Sequence, residues 1–196
     1  AQRGESDLLL DDPERSRREV QEFYGRGGRT IVDATAVDYG RDVEAVAEIS
    51  QSTGVNVIAT AGFNKSFLWS APLPGHLRAL TGGYPTYQAW VESASVEALA
   101  DFIGAEITRG LEGTCFRAGQ VKFGTGYNSI SPLEIKTMEA AAAVHFATGA
   151  PVHSHTEAGT MGLQQMEILK RLGVPLRRVS FGHMDRNLDL WYHRRL

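Results

Sequence analysis

The sequence is poor in cysteine and carries little net charge. Its 196 residues contain one cysteine, Cys115, and the formal net charge is −3. A single cysteine excludes an intramolecular disulfide and suits a reducing compartment, so we expect a cytoplasmic protein. The near-balanced charge argues against a nucleic acid or an anionic membrane as a partner. No apolar run reaches membrane-spanning length, and no apolar signal segment opens the chain.

Nucleotide-binding motifs are missing as well. Neither the glycine-rich dinucleotide fingerprint nor the P-loop follows the first predicted strand, which lowers the expectation of a nucleotide site. The opening residues are polar except for a short apolar run, Leu8-Leu-Leu10. With 42% hydrophobic residues the chain can bury one sizeable core, and we expect a single domain over residues 1–196.

Predicted strands and helices alternate five times along the chain. The predicted strands cover residues 30–35, 55–60, 120–124, 151–155 and 179–183. The predicted helices cover residues 12–24, 42–53, 96–110, 132–148 and 162–172. Strands that are apolar on both faces are typical of a parallel sheet covered by helices, so the sequence predicts an α/β fold. A doubly wound open sheet and a (β/α)8 barrel both fit this pattern.

A long segment over residues 62–85 has no clear periodicity and contains four aromatic residues. Loops of this length in compact domains are usually functional or disordered, and the aromatics favour a binding loop. Trp69, Tyr84 and Tyr87 could line a pocket, and they could equally pack beneath the loop.

Two histidines lie in the fourth predicted strand. His153 and His155 are two residues apart, so in a strand they point to the same face. Neutral imidazole is a common metal ligand, and a metal would satisfy both side chains. A strand end with one hydrogen-bonded and one exposed histidine explains the pattern equally well.

Lys122 lies inside another short apolar strand. A lysine in that position must extend its amine to solvent, lose its charge or be chemically modified. Taken alone, an extended lysine at a strand end is the commoner outcome. The two following strands, however, each end near a histidine, His155 and His183. In a barrel, the carboxyl ends of the strands form the face that carries the active site.

Together these residues resemble the phosphotriesterase-like family of the amidohydrolase superfamily. The matching segments run in family order and cover nearly the whole chain: Thr30-Ile-Val-Asp-Ala-Thr35, Gly113-Thr114, Ala118-Gly-Gln-Val-Lys122, Thr148-Gly-Ala-Pro151, His155-Thr-Glu-Ala-Gly-Thr160 and Gly182-His-Met-Asp-Arg-Asn187. The last two segments together are most similar to the branch that hydrolyses sugar lactones, including phosphorylated ones.

The resemblance implies a (β/α)8 TIM barrel of the metal-dependent hydrolase type, with two divalent metals at its carboxyl face. Zinc is the expected metal, with manganese and cobalt as alternatives. Lys122 would react with carbon dioxide, and its carbamate would bridge the two metals. His155 and His183 would bind the second metal. A bridging hydroxide would then open the lactone of a small-molecule substrate.

Two parts of the family pattern are missing. The first strand normally supplies a His-x-His pair and the eighth an aspartate, and neither is present. We count strands 2–6 of eight, and the chain begins with alanine, so the barrel domain is expected to be incomplete at both ends. A barrel cut in this way leaves two strand edges unpaired, which favours pairing with strands of another chain. A homodimer is one assembly that would provide such strands.

Four further residues are candidates for substrate binding. Lys65 and Arg186 are candidates for a substrate phosphate, although solvated loop charges are the commoner outcome. Asp185 could orient a ligand or substrate, or cap the following helix. His153 is expected in a substrate or supporting role, or as a packed histidine. The alternatives to lactone hydrolysis are phosphotriester or aryl ester hydrolysis by the same metals, and a truncated barrel without catalysis that acts only in binding or structure.

Overall fold

The computed structural model describes residues 12–196, so the apolar run Leu8–Leu10 lies outside the described residues. The strands are β1 (Thr30–Val32), β2 (Asn56–Ile58), β3 (Thr60–Gly62), β4 (Gln120–Thr125), β5 (Val152–Thr156) and β6 (Val179–Phe181). The helices are α1 (Pro13–Gly25), α2 (Val43–Thr53), α3 (Gly75–Thr81), α4 (Tyr87–Ser93), α5 (Val96–Thr108), α6 (Pro132–Thr148), α7 (Gly162–Arg171) and α8 (Leu190–Arg195). Within residues 12–196, no helix has both the length and the apolarity needed to cross a membrane.

The chain divides into two compact units, and the first is a small α/β unit. It contains the described residues up to Asp33 together with Asp42–Ile58. In it β1 pairs in parallel with β2, and α1 packs against α2. Asp42 caps α2 by accepting a hydrogen bond from the backbone of Ala45, and the helix ends at Gly54 in the left-handed conformation.

The second unit contains the larger sheet. It comprises Ala34–Arg41 and Ala59–Leu196. Its four strands lie in the order β3-β4-β5-β6 and are all parallel. All six residues of β4 are buried, as expected for a strand covered on both faces. Helices α5 and α6 pack against each other and against this sheet. The predicted α/β class with parallel strands is confirmed.

The structure departs from the sequence-based boundaries in one informative place. The strand predicted over residues 55–60 consists of two strands, β2 and β3, that belong to different sheets. Periodicity reports which face of a strand is buried and carries no information about a change of partner strand, so the break at Ala59 could not be predicted.

The segment predicted to be irregular contains the seven-residue helix α3, and α4 follows it directly. Helices this short do not complete enough turns to give a distinct period. Trp69 and Tyr87 are buried in the core, and the Trp69 ring packs edge-on against Phe63 with ring centres 5.8 Å apart. For these two aromatics, packing beneath the loop is therefore the correct alternative.

Candidate metal centre

The register of the larger sheet brings Lys122 beside the histidine strand. In the β4–β5 pair, Lys122 is opposite His153 and Gly124 is opposite His155. Residues paired across parallel strands share a face, so Lys122, His153 and His155 project to the same side. Lys122 is only 5% exposed, and its Nζ donates a hydrogen bond to the carbonyl of Ala34 at 2.6 Å. Because this lysine is held inside the fold, it does not simply extend into solvent.

Gly124 keeps space open at the carboxyl end of β4. A Cβ at this position would lie 2.9 Å from the Cβ of His155 and 3.0 Å from the carbonyl oxygen of Asn64. Both distances are shorter than normal carbon contacts. Any side chain at residue 124 would therefore fill the gap between Asn64 and His155.

His183 reaches the same place from a turn rather than from a strand. Strand β6 ends at Phe181, two residues earlier than predicted, and His183 has a left-handed backbone with φ of 60°. Such a conformation is unfavourable for a residue with a side chain and clusters at functional sites. Here it directs the His183 ring to within 4.6 Å of the His155 ring, measured between centres.

Hydrogen bonds join the carboxyl end of β5, which carries His155, and the turn after it to the turn that carries His183. Thr156 Oγ1 donates to the carbonyl of Gly182 at 2.6 Å, and Asn187 Nδ2 donates to the carbonyl of Gly159 at 3.1 Å. A Cβ on Gly159 would lie 2.6 Å from the Cβ of Asn187, so only glycine allows this close approach.

His155 is neutral near pH 7. Burial lowers its pKa most, and the positive charges of Lys65, His183 and Lys122 lower it further. The hydrogen bond with Glu157 opposes these effects, and the resulting pKa is about 4. Neutral imidazole is the form that binds metal ions.

Glu157 connects His155 with Lys65. Its Oε2 is ion-paired with Lys65 Nζ and lies 3.0 Å from His155 Nε2. Burial alone would raise the pKa of Glu157, but the hydrogen bonds with Lys65 and His155 outweigh it and lower the pKa to about 2. The positive charge of Lys65 is thus already compensated by a carboxylate.

The other predicted substrate residues lie around this group. His153 Nδ1 is 2.8 Å from Ser180 Oγ, and burial, followed by the charges of Lys122 and His183, lowers the His153 pKa to about 4. Asp185 and Arg186 are both exposed and lie in the turn after His183, in the short 3-10 helix Met184–Arg186. The roles given to these three residues remain predictions.

A buried glutamine, which sequence reasoning missed, supports the histidine strand from behind. Gln165 is fully buried, and its Nε2 donates to Thr125 Oγ1 at 2.7 Å and to the carbonyl of His155 at 3.1 Å. Its Oε1 accepts a hydrogen bond from Ser154 Oγ. The signal in the sequence was a glutamine on the apolar side of the helix predicted over residues 162–172, where a polar side chain needs buried hydrogen-bond partners.

Replacing Gln165 with leucine is expected to lower the free energy of unfolding by about 1–3 kcal/mol, because buried partners on β4 and β5 would lose their hydrogen bonds. Urea denaturation of both proteins measures this loss. Gln164 is exposed on the same helix, so Gln164→Leu is the matched control and should change the stability by less than about 0.5 kcal/mol. Equal effects of the two substitutions would contradict the supporting role.

The donor set fits part of a metal centre. Among residues 12–196, no group of three or more histidine, cysteine, aspartate or glutamate side chains could hold a metal ion. Two adjacent imidazoles nevertheless lie at the carboxyl end of the sheet, and a buried lysine shares the face of β4 and β5 that carries His155. A carbamate on that lysine would add the anionic oxygens that the group needs, and further ligands would have to complete each metal's coordination.

Parallel strands with a buried lysine inside β4 and a histidine pair at the carboxyl ends of β5 and β6 define an α/β protein with a candidate metal centre. The family model of the phosphotriesterase family matches residues 11–196. The chain belongs to this family.

Named relatives are similar over nearly the whole chain. A phospho-furanose lactonase of Mycoplasmopsis agalactiae is 29% identical over 97% of this chain and 53% of its own length. The phosphotriesterase homology protein of Escherichia coli is 34% identical over 93% of this chain and 58% of its own length. The chain thus spans just over half the length of the curated relatives it matches.

Solved structures agree with this assignment. A lactonase from Listeria monocytogenes is 57% identical and superposes with a TM-score of 0.94, over 95% of this chain and 57% of its own. An organophosphorus hydrolase from Deinococcus radiodurans is 29% identical with a TM-score of 0.80, over 96% of this chain and 55% of its own. These neighbours are TIM barrels of the phosphotriesterase type, and this chain covers part of them.

Proposed function

We propose that the full-length protein is a metal-dependent hydrolase that opens lactones of sugars or sugar phosphates. One arrangement carries the proposal: buried Lys122 shares a face of the sheet with His155, and the His155 and His183 ring centres are 4.6 Å apart. The names of the lactonases from Mycoplasmopsis agalactiae and Listeria monocytogenes support a lactone as the substrate class.

In this proposal, Lys122 becomes an anionic ligand. Once the ammonium group has lost a proton to solvent, the neutral amine would add carbon dioxide, with a nitrogen–carbon bond formed and one further proton released to solvent. His155 and His183 would hold one of the two cations through their imidazole nitrogens. Two divalent cations, zinc by preference with manganese or cobalt as alternatives, would supply a hydroxide nucleophile near neutral pH and polarise the lactone carbonyl.

The chain's other residues bind and orient the substrate. Arg186 is exposed, and its guanidinium suits a phosphate group. Lys65 can act on the same phosphate only by leaving Glu157, so we give Arg186 the larger part. His153, two residues before His155 on the same face of β5, and Asp185, two residues after His183, would orient the sugar ring.

A substrate panel tests this proposal. The full-length protein should hydrolyse pentonolactones, and Arg186→Met should lower kcat/KM about 10- to 100-fold for a 5-phosphorylated lactone while changing the unphosphorylated one little, because a charge-assisted hydrogen bond to phosphate is lost. Arg177→Met, also an exposed arginine, is the control. A wild-type protein inactive on every lactone would overturn the proposal.

Two alternatives are outcomes of the same panel. Turnover of a phosphotriester or an aryl ester at a higher kcat/KM than any lactone would favour esterase function. The similar structure from Deinococcus radiodurans is named an organophosphorus hydrolase, which supports this alternative. Full-length protein that binds no metal and turns over no substrate would favour a binding or structural role.

A further inference from the structure

Two buried carboxylates fix the backbone that follows β3. Asp38 accepts hydrogen bonds from the Asn64 backbone N–H at 2.8 and 3.0 Å. Glu134 accepts from the Ser66 backbone N–H at 3.0 Å and from its hydroxyl at 2.9 Å. Asp38 is 5% exposed and Glu134 is 1% exposed. The three residues Asn64 to Ser66 are therefore held at both ends in a defined position.

Within this segment, the side-chain oxygen of Asn64 lacks a hydrogen-bond donor in the described part of the chain. Asn64 is 3% exposed, and its Oδ1 is buried without a hydrogen-bond partner among residues 12–196. A buried amide oxygen without a partner costs free energy, so such groups are rare and call for an explanation. A ligand that donates a hydrogen bond would satisfy it.

Asn64 also borders the candidate metal centre. The backbone carbonyl oxygen of Asn64 and the Cβ of His155 lie on opposite sides of the gap at Gly124. A Cβ added to Gly124 would be 3.0 Å from the first atom and 2.9 Å from the second. The next residue, Lys65, is ion-paired with Glu157, whose carboxylate lies 3.0 Å from His155 Nε2. The segment and the histidine pair therefore border the same space.

We propose that Asn64 Oδ1 accepts a hydrogen bond from a ring hydroxyl of the substrate and so determines the preference for hydroxylated lactones. This inference rests on the proposed lactonase function. A carbonyl oxygen accepts hydrogen bonds and cannot donate them, so it recognises a hydroxyl and gains nothing from an unsubstituted ring. Because Asp38 and Glu134 fix the backbone around Asn64, little backbone ordering is needed for this acceptor to meet the substrate.

The substitution Asn64→Leu tests this role, since leucine has nearly the same size and no acceptor. With full-length, metal-loaded protein, kcat/KM for a pentono-1,4-lactone should fall about 10- to 100-fold, because the hydroxyl would enter the site without its partner. The kcat/KM for γ-butyrolactone, which has no ring hydroxyl, should change less than about threefold. Gln164→Leu, an exposed amide on α7, should leave both values unchanged.

Stability separates a substrate contact from a structural role. Since Oδ1 has no partner in the described part of the chain, Asn64→Leu should keep the wild-type Tm or raise it. A lower Tm, or an equal loss for both lactones, would overturn the inference.

The proposed function can fail separately. If the wild-type protein hydrolyses neither lactone, that function fails, and binding decides the inference. The pentonolactone should then raise the Tm of the wild-type protein more than that of Asn64→Leu, and equal shifts would overturn the role of Asn64.

Discussion

Replacing Lys122 with methionine is expected to remove metal from the full-length protein and to lower kcat/KM for lactones by about 10³-fold or more. Methionine fills the space of the buried lysine stem, and it cannot be converted to a carbamate. The loss of an anionic ligand shared by two cations removes several kcal/mol of transition-state stabilisation, and about 1.4 kcal/mol corresponds to a tenfold change in rate.

Elemental analysis together with kinetics measures this effect. Wild-type protein should contain two divalent ions per chain, and Lys122→Met at most one. Lys170 is exposed on α7 and ion-paired with Glu167, so Lys170→Met should retain both ions and full activity. Two retained ions in Lys122→Met, with kcat/KM within about threefold of wild type, would refute the carbamate.

The second large effect concerns a buried ion-pair network, which the sequence did not reveal. The Arg41 guanidinium contacts Glu106 at 2.5 Å and Glu112 at 2.7 Å, and the Arg41 and Glu106 side chains are each 2% exposed. Arg41 also donates to the carbonyl of Thr60 at 2.7 Å, in the first residue of β3. One cation thus links the loop at residues 34–41 to a strand and to two carboxylates.

Arg41→Met is expected to lower the free energy of unfolding by about 3–5 kcal/mol, because it leaves buried carboxylates without their cation. Chemical denaturation measures the loss. Arg15→Met is the control, since this exposed arginine on α1 pairs with the exposed Glu19 one helical turn away, and it should cost less than about 1 kcal/mol. A loss below 1 kcal/mol for Arg41→Met would show that the network adds little.

The pH should modulate this loss in a defined direction. Burial raises the pKa of Glu106, and Arg41 opposes that rise. Removing Arg41 therefore raises this pKa further. A carboxyl whose folded pKa exceeds its unfolded value gains stability as the pH falls through the folded pKa. The cost of Arg41→Met should consequently be smaller at pH 5 than at pH 8.

The sequence predicted those parts of the site that depend on local pattern. The two-residue spacing of His153 and His155 predicted a common face, and the structure has both on the partly exposed side of β5. The apolar surroundings of Lys122 left an extended, a neutral and a modified lysine open, with the extended one the commoner outcome, whereas the structure has this lysine buried. The resemblance to the family supplied the order of the strands and the proposed ligand roles.

Other parts depend on contacts that no local pattern encodes. His183 approaches His155 because a left-handed residue follows β6, whereas the sequence indicated a continuing strand. Arg41 meets Glu106 across 65 residues of chain, and charge at such separations has no period to detect. The oxygen of Asn64, which has no partner among residues 12–196, is also visible only once its neighbours are placed.

The most direct test of the proposed metal centre is a crystal structure of the full-length, metal-loaded protein with anomalous data at the metal absorption edge. The account predicts two anomalous peaks at the carboxyl ends of the strands, with additional density on Lys122 Nζ between them and with His155 and His183 bound to one ion. An unmodified Lys122, or peaks that do not contact both histidines, would contradict it.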